Sequence, residues 1–202
     1  MTPFSIKEDR TFYVLVLDDQ PVNARERVYR ALSLASSHSL DSEGENDLWE
    51  IEVLGGKNVL MNFHYVSDPS KAENILLSEE ENEKRNKYDV ILLDNRWDGT
   101  EQGDDFGIKL LSQMHLAKRY HNFLILFTAW PDELVSRSLE YGATALVSKD
   151  EPYHLLNLLL LSTLTRKAKR ATELEKHLAQ SLEDADYRLK SDSSEMRRAL
   201  SD

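Results

Sequence analysis

The sequence predicts an α/β protein: a three-layer sandwich around a five-stranded parallel sheet, with an inserted β-hairpin and an extended C-terminal helix. Three observations carry this expectation. Short apolar runs recur at Phe12–Leu17, Val90–Leu93, Phe123–Phe127 and Ala143–Val147. Runs of this kind suit strands buried on both faces, as in parallel sheets. Stretches with helical periodicity separate them. Each run also ends at or just before a polar or ionisable group: Asp18-Asp19, Asp94, Thr128 and Lys149. In an open parallel sheet the site forms outside the carboxyl ends of the strands, so these groups are expected to share one pocket.

The elements follow in order. The strand ending at Asp18-Asp19 is followed by Pro21, which opens a helix from Val22 to about Ala35. Its inward face is expected at Val22, Val28, Ala31, Leu32 and Ala35. Residues 36–47 read as a polar loop with turn chemistry. Trp49, Ile51 and Val53 then alternate with Glu50, Glu52 and Leu54, and Gly55-Gly56-Lys57-Asn58 can turn the chain. Val59–Val66 returns as a strand, giving a hairpin whose second arm enters the sheet. Asp68-Pro69 is an N-cap and first-turn pair for a helix over Ser70–Leu77. The segment Glu79–Lys87 is charged, either a helix extension or a solvated loop.

The strand Tyr88–Leu93 leads to Asp94, and a polar loop runs from Asn95 to Asp104. A helix from Phe106 to about Arg119 has an apolar face at Ile108, Leu111, Met114 and Leu116. Pro131-Asp-Glu begins another helix, with Gly142 as its C′ residue. Asp150-Glu-Pro152 starts the last helix, whose Leu155–Leu161 segment is apolar enough to pack on the sheet. The domain is expected over residues 1–162, with its insert at about 38–58, and a helical extension over 163–202. In that extension Leu178, Leu182, Ala185 and Leu189 form a short heptad-like stripe. Pairing as a coiled coil and a solvated helix without a partner are both open.

Composition narrows the function classes. The chain has 202 residues, no cysteine and a net charge of -11. Disulfides and thiolate metal sites are therefore excluded. Residues 164–202 hold nine Lys/Arg and eight Asp/Glu, so the remainder carries 16 basic and 28 acidic residues. An acidic domain repels nucleic-acid backbones, so no direct nucleic-acid binding is expected. No apolar stretch is long enough to span a bilayer, and the first ten residues lack a signal peptide's apolar core. A cytoplasmic protein without a membrane contact is expected. The six histidines, His38, His64, His115, His121, His154 and His177, show no ligand spacing.

Residues 12 to about 162 resemble the receiver domain of bacterial response regulators, a flavodoxin-like fold of two-component signalling. The matching pieces are Val14–Asp19, Tyr88–Asp94, Leu124–Ala129 and Gly142–Lys149, and Asp105–Leu111 resembles the start of the family's third helix. An Asp-Asp pair at a strand end is, alone, usually a turn or cap, and a lone Thr or Lys there is usually surface. Their joint occurrence in order carries the resemblance. It implies that Asp94 accepts phosphate and that Asp19 and Asp94 bind Mg²⁺, with Asp18 acting through a bound water. It also implies that the backbone carbonyl of Arg96 supplies a further oxygen. A hard oxygen set suits Mg²⁺. Lys149 would stabilise charge on the phosphoryl oxygens, and Thr128 would hydrogen-bond the attached group.

Three features depart from the family. Leu146 stands where an aromatic switch residue is usual. Asp150 follows the lysine where proline is common. The loop after Asp94 is long and acidic at Asp98, Glu101, Asp104 and Asp105. Arg96 and Trp130, each two residues past a site residue, flank the family's path for attacking water and imply slow self-dephosphorylation.

The reading is a phosphoacceptor signalling domain rather than an enzyme, with at most Mg²⁺-dependent self-phosphorylation from small donors and self-dephosphorylation. A histidine kinase or phosphotransfer protein would phosphorylate it, and a downstream protein partner would read it, with a homodimer open. The rival is a phosphorylation-independent pseudo-receiver adaptor that dimerises or docks through its C-terminal helix. A phosphohydrolase ranks low, because Asp94-Asn95-Arg96-Trp97 lacks the second aspartate such enzymes place two residues on.

Overall fold

The computed structural model describes residues 11–35, 37–53, 57–78, 87–98, 100, 103–117, 123–129, 131, 134–165 and 172. Among the described residues seven strands form one sheet: β1 (Thr11–Leu17), β2 (Ser37–Glu43), β3 (Asn46–Val53), β4 (Lys57–Val66), β5 (Val90–Asp94), β6 (Leu124–Thr128) and β7 (Ala145–Ser148). The helices are α1 (Pro21–Leu32), α2 (Pro69–Leu77), α3 (Phe106–Leu116), α4 (Val135–Glu140) and α5 (residues 152–165). Contacts divide the chain into two compact units, Met1–Ser162 and Thr163–Asp202. Among the described residues no helix is long and apolar enough to cross a membrane.

The strand order is β2-β3-β4-β1-β5-β6-β7. Strands β4, β1, β5, β6 and β7 are parallel, and β2 and β3 add antiparallel to the β4 edge. Numbered along the chain, the five parallel strands run 2-1-3-4-5, the flavodoxin-like doubly wound order. The expected five parallel strands are present, but the sheet is wider than expected. The difference lies in Ser37–Glu43, expected as loop, which pairs with β3 in an edge strand exposed at nearly every position. Its polarity concealed it, because an edge strand needs no buried face.

The core lies in two layers, one on each side of the sheet. On one side Val14, Val16, Leu92, Ile125 and Phe127 meet Ala24, Val28 and Leu32 of α1 and Leu155, Leu156 and Leu159 of α5. On the other, Leu15, Leu17, Ile91, Leu93 and Leu126 meet Ala72 and Leu76 of α2, Ile108, Leu111 and Met114 of α3, and Leu134. Successive strand residues point to opposite faces, so runs such as Val14–Leu17 feed both layers. Val22 and Leu116, expected to face inward, are 78% and 77% exposed. Each sits at a helix end, beyond the turn that the sheet covers. Where both fall on described residues, the other strand and helix ends lie within a few residues of those expected. Asp68 caps α2 through Oδ1, which accepts from Lys71 N at 2.9 Å, and Gly142 adopts φ +90° after α4.

The inserted strands pack on their own domain. Trp49 and Ile51 are buried beneath α1, and Trp49 meets Tyr29 edge-on at 5.5 Å. A polar clamp adds to this contact. Arg25 of α1 pairs with the buried carboxylate of Asp47 (Nε–Oδ2 2.9 Å) and donates to the Gly44 carbonyl at 2.8 Å. Its guanidinium lies 4.8 Å from the Tyr65 ring centroid, and Ser42 Oγ donates to Asp47 at 2.5 Å. A buried carboxylate needs such partners. Arg25→Met strands the Asp47 charge, and since Arg25 is itself 39% exposed the expected loss is about 1–2 kcal/mol. Denaturant unfolding measures this; a stability equal to wild type would show that the clamp contributes nothing.

Candidate functional site

Four strands deliver the expected residues to one end of the sheet. Asp18 and Asp19 follow β1, Asp94 ends β5, Thr128 ends β6 and Lys149 follows β7. The site lies where β1 and β5 part company in chain order, with α1 leaving on one face and α3 on the other. A doubly wound sheet opens its crevice at such a switch point. The crevice has a volume of about 330 Å³ and is lined by Gln20, Arg27, Asp94, Arg96, Asp98, Thr128, Ala129 and Lys149.

The centre is a buried ion triad. Lys149 Nζ lies 2.8 Å from Asp18 Oδ2 and 2.5 Å from Asp94 Oδ2. All three side chains are at most 7% exposed. Lys149 reaches this position although Asp150, not proline, follows it. Ser148 shapes the turn instead: its Oγ accepts from Asp150 N at 3.2 Å and its carbonyl from Glu151 N at 3.1 Å. The backbone N–H of Lys149 also donates to the Thr128 carbonyl at 2.8 Å, joining two site strands. Asp18 turns the chain into α1 by accepting from Gln20 N at 2.9 Å.

One ammonium does not neutralise three carboxylates. Asp18, Asp19 and Asp94 are, among the described residues, the acidic group whose ligand atoms converge, all within 4.8 Å of one another. Burial pushes the Asp94 carboxyl up to about 6; the Lys149 charge opposes the shift and the Asp18 charge adds to it. Asp19 is also raised, chiefly by burial, against the lowering effect of its hydrogen bond from Asp98 N at 2.7 Å. Such a site has hard oxygen donors and surplus negative charge, the chemistry that suits Mg²⁺.

Several residues that hold Asp94 in place were not singled out from the sequence. Trp97 is fully buried, its Nε1 donates to the Asp94 carbonyl at 3.2 Å, and its ring lies 4.7 Å from that of Phe106. Asn95 Oδ1 accepts from Ile108 N at 2.9 Å and its carbonyl from Gly107 N at 3.0 Å, anchoring the first turn of α3. Gly107 permits this approach. A Cβ there would collide with the Asp94 carbonyl and lie 2.8 Å from Asn95 Cα. The signal available in sequence was one large apolar residue, Trp97, inside a polar loop. Gln20 and Arg27 were missed as lining residues because only the helix orientation brings them to the crevice.

The other expected residues are placed as follows. Arg96 is exposed; its N–H approaches Asp94 Oδ1 at 3.4 Å and its guanidinium lies 3.6 Å from Asp98. Leu146 is partly buried against the α2–α3 side of the core. Asp98 is tied to Asp19 through its backbone and Asp105 pairs with Arg137 at 3.6 Å, so the acidic loop is fastened at both ends. Trp130, Glu101, the Asp104 side chain, the Gly55-Gly56 turn, residues 79–86 and the Leu178–Leu189 stripe lie outside the described residues.

No family model and no curated protein matches the chain. Solved structures similar to it include a response regulator receiver domain from Rhodospirillum rubrum, at 15% identity and TM-score 0.46, covering 75% of this chain and 94% of that one. Another is the response regulatory domain of mrkE from Klebsiella pneumoniae, at 17% identity and TM-score 0.48, covering 78% and 99%. A third is the receiver domain of the histidine kinase CKI1 from Arabidopsis thaliana complexed with Mg²⁺, at 13% identity and TM-score 0.44, covering 73% and 89%. The strand order and the carboxyl-end crevice establish the fold on their own: it is the flavodoxin-like fold that receiver domains share.

Two outcomes follow from this geometry. Gly107→Ala forces α3 off the β5 end and should destabilise the protein by about 1–3 kcal/mol, read from denaturant unfolding. An unchanged midpoint would mean that the turn relaxes freely. The second concerns Asp94. Its carboxyl titrates higher folded than unfolded, so the folded state binds more protons between about pH 4 and 6 and stability falls as pH rises through that window. Without divalent cations, Asp94→Asn should therefore melt a few degrees above wild type at pH 7.5. The gap should narrow at pH 5; a gap independent of pH would contradict the assignment.

Proposed function

We propose that this chain is a phosphoacceptor signalling domain of the two-component type, in which Asp94 accepts a phosphoryl group. The observation that carries this reading is the buried Lys149 ammonium shared by Asp18 and Asp94, with Asp19 and Thr128 beside it. A structural salt bridge has no need of a third converging carboxylate, nor of a 330 Å³ crevice opening onto the pair.

Asp18, Asp19 and Asp94 fit a Mg²⁺ ion, with the Arg96 carbonyl as a further oxygen. When bound, Mg²⁺ supplies positive charge to the carboxylates and to an incoming phosphoryl group. The chain's own residues do the rest. A carboxylate oxygen of Asp94 forms a bond to phosphorus as the bond from phosphorus to the leaving group breaks. The leaving group departs with that electron pair. An acyl phosphate releases a carboxylate, so no proton need move. Lys149 exchanges its hydrogen bond to Asp94 for one to a phosphoryl oxygen while Asp18 keeps it oriented. Thr128 then donates a hydrogen bond from its hydroxyl to an oxygen of the attached group. Ala129 is small and lines the crevice, leaving room for that group.

The donor in the cell would be a histidine kinase or a phosphotransfer protein, and the output a protein–protein contact. New charge at Asp94 would draw on Thr128 and Lys149 and shift the surface around β6, β7, α4 and α5. Leu146 in place of an aromatic means that any such shift runs without an aromatic side chain at that position. Arg96 at the crevice would slow hydrolysis of the aspartyl phosphate.

Incubation with Mg²⁺ and acetyl phosphate, followed by intact mass, tests the reading. One added phosphoryl group is expected, absent in Asp94→Asn and strongly reduced in Lys149→Ala. A folded protein that takes no phosphoryl group from the small donor or from any kinase preparation would sink the proposal and return attention to a phosphorylation-independent adaptor.

A further inference from the structure

Three of the crevice-lining side chains are cationic: Lys149, Arg96 and Arg27. Two of them face carboxylates within the site. Lys149 bridges Asp18 and Asp94, and Arg96 approaches Asp98 at 3.6 Å. Arg27 makes no hydrogen bond or ion pair with any described residue. Its neighbours on α1 are engaged: Arg25 with Asp47 and Gly44, and Arg30 with Glu26.

The helix explains how Arg27 reaches the crevice. It lies seven residues after Gln20, two turns along the same face. Helical side chains lean toward the N-terminus, so the long arm of Arg27 is carried back toward the carboxyl rim of the sheet. Gln20 at the start of that face lines the same crevice. The clamp from Arg25 to the inserted strands fixes α1 just two residues away.

We propose that Arg27 is the donor-recognition residue of this site: it binds the anionic oxygens of the incoming phosphoryl donor before transfer. The inference rests on the phosphoacceptor reading above and names a residue that sets donor affinity. The charges explain the need. A donor dianion enters a crevice walled by Asp94 and Asp98, beside Asp18 and Asp19, where two of the cations already face carboxylates. A guanidinium with uncommitted donors offers planar, bidentate hydrogen bonds to phosphoryl oxygens. Its role is in binding, so it should act on donor affinity far more than on the maximal transfer rate.

The test uses the full chain with Mg²⁺ and acetonylphosphonate, an acetyl phosphate analogue whose methylene bridge cannot transfer its phosphoryl group. Calorimetric titration of Arg27→Gln should show binding weakened about tenfold, with Arg27→Lys intermediate. Arg30→Gln, one turn further along α1, should bind as wild type does. Circular dichroism and melting of each variant confirm that the fold is kept. With acetyl phosphate itself, Arg27→Gln should raise the half-saturating donor concentration and leave the maximal rate nearly unchanged. Equal phosphonate affinity in wild type and Arg27→Gln would overturn the proposal. So would an equal loss in Arg30→Gln, which would reveal a diffuse field effect, or no phosphonate binding to the wild type. Failure of the phosphoacceptor reading looks different: the wild type would bind the phosphonate yet gain no mass from acetyl phosphate.

Discussion

The Lys149 ammonium between Asp18 and Asp94 links three strand ends, and its own strand, β7, neighbours neither of the other two. Among the described residues β7 pairs with β6 alone, yet its lysine reaches across to the ends of β5 and β1. The shared ammonium holds this geometry tightly because losing it would leave buried carboxylates uncompensated. The triad therefore fixes the relative height of strand ends that backbone hydrogen bonds would tolerate at several offsets. Its charge is also unbalanced. One cation faces two carboxylates, with Asp19 close by, and this surplus makes the crevice receptive to a further cation rather than merely stable.

Holding Asp94 at that height is a task for the opposite layer. Trp97, Asn95, Phe106 and Gly107 seat the first turn of α3 directly on the backbone of Asp94 and Asn95. The side chain of Asp94 is thus gripped from the lysine side and its backbone from the α3 side. The crevice opens in front of the carboxylate between these two grips. The arrangement positions a carboxylate rigidly while leaving room in front of it, a condition for any chemistry that depends on approach distance.

The sequence was most legible where physics is local. Runs such as Leu92–Leu93 and Ile125–Leu126 must serve two core layers, and that requirement is visible as unbroken hydrophobicity. Asp68-Pro69 and Gly142 announce helix ends because capping chemistry spans only a few residues. Asp18, Asp19, Asp94, Thr128 and Lys149 were legible through position, each at or just past a strand end. What escaped was long-range or polar. Ser37–Glu43 carries no buried face, so nothing in its composition separates a strand from a loop. Gly107 matters because of Asp94, thirteen residues away, and Arg27 because the fold sets α1 beside the crevice. Val22 and Leu116 mislead for a related reason: periodicity marks a helical face but not where the sheet beneath it ends.

The insertion changes what the molecule can do with its border. In the five-strand arrangement β4 would carry a free row of backbone donors and acceptors along a largely apolar strand, open to any extended peptide. Here both sides of β4 are occupied, by β1 and β3. The new border is β2, which bears Asp41 and Glu43 and breaks its register between Ser39 and Asp41. A strand offered by another chain would meet repulsion and a discontinuous ladder. Strand exchange along this border is therefore disfavoured.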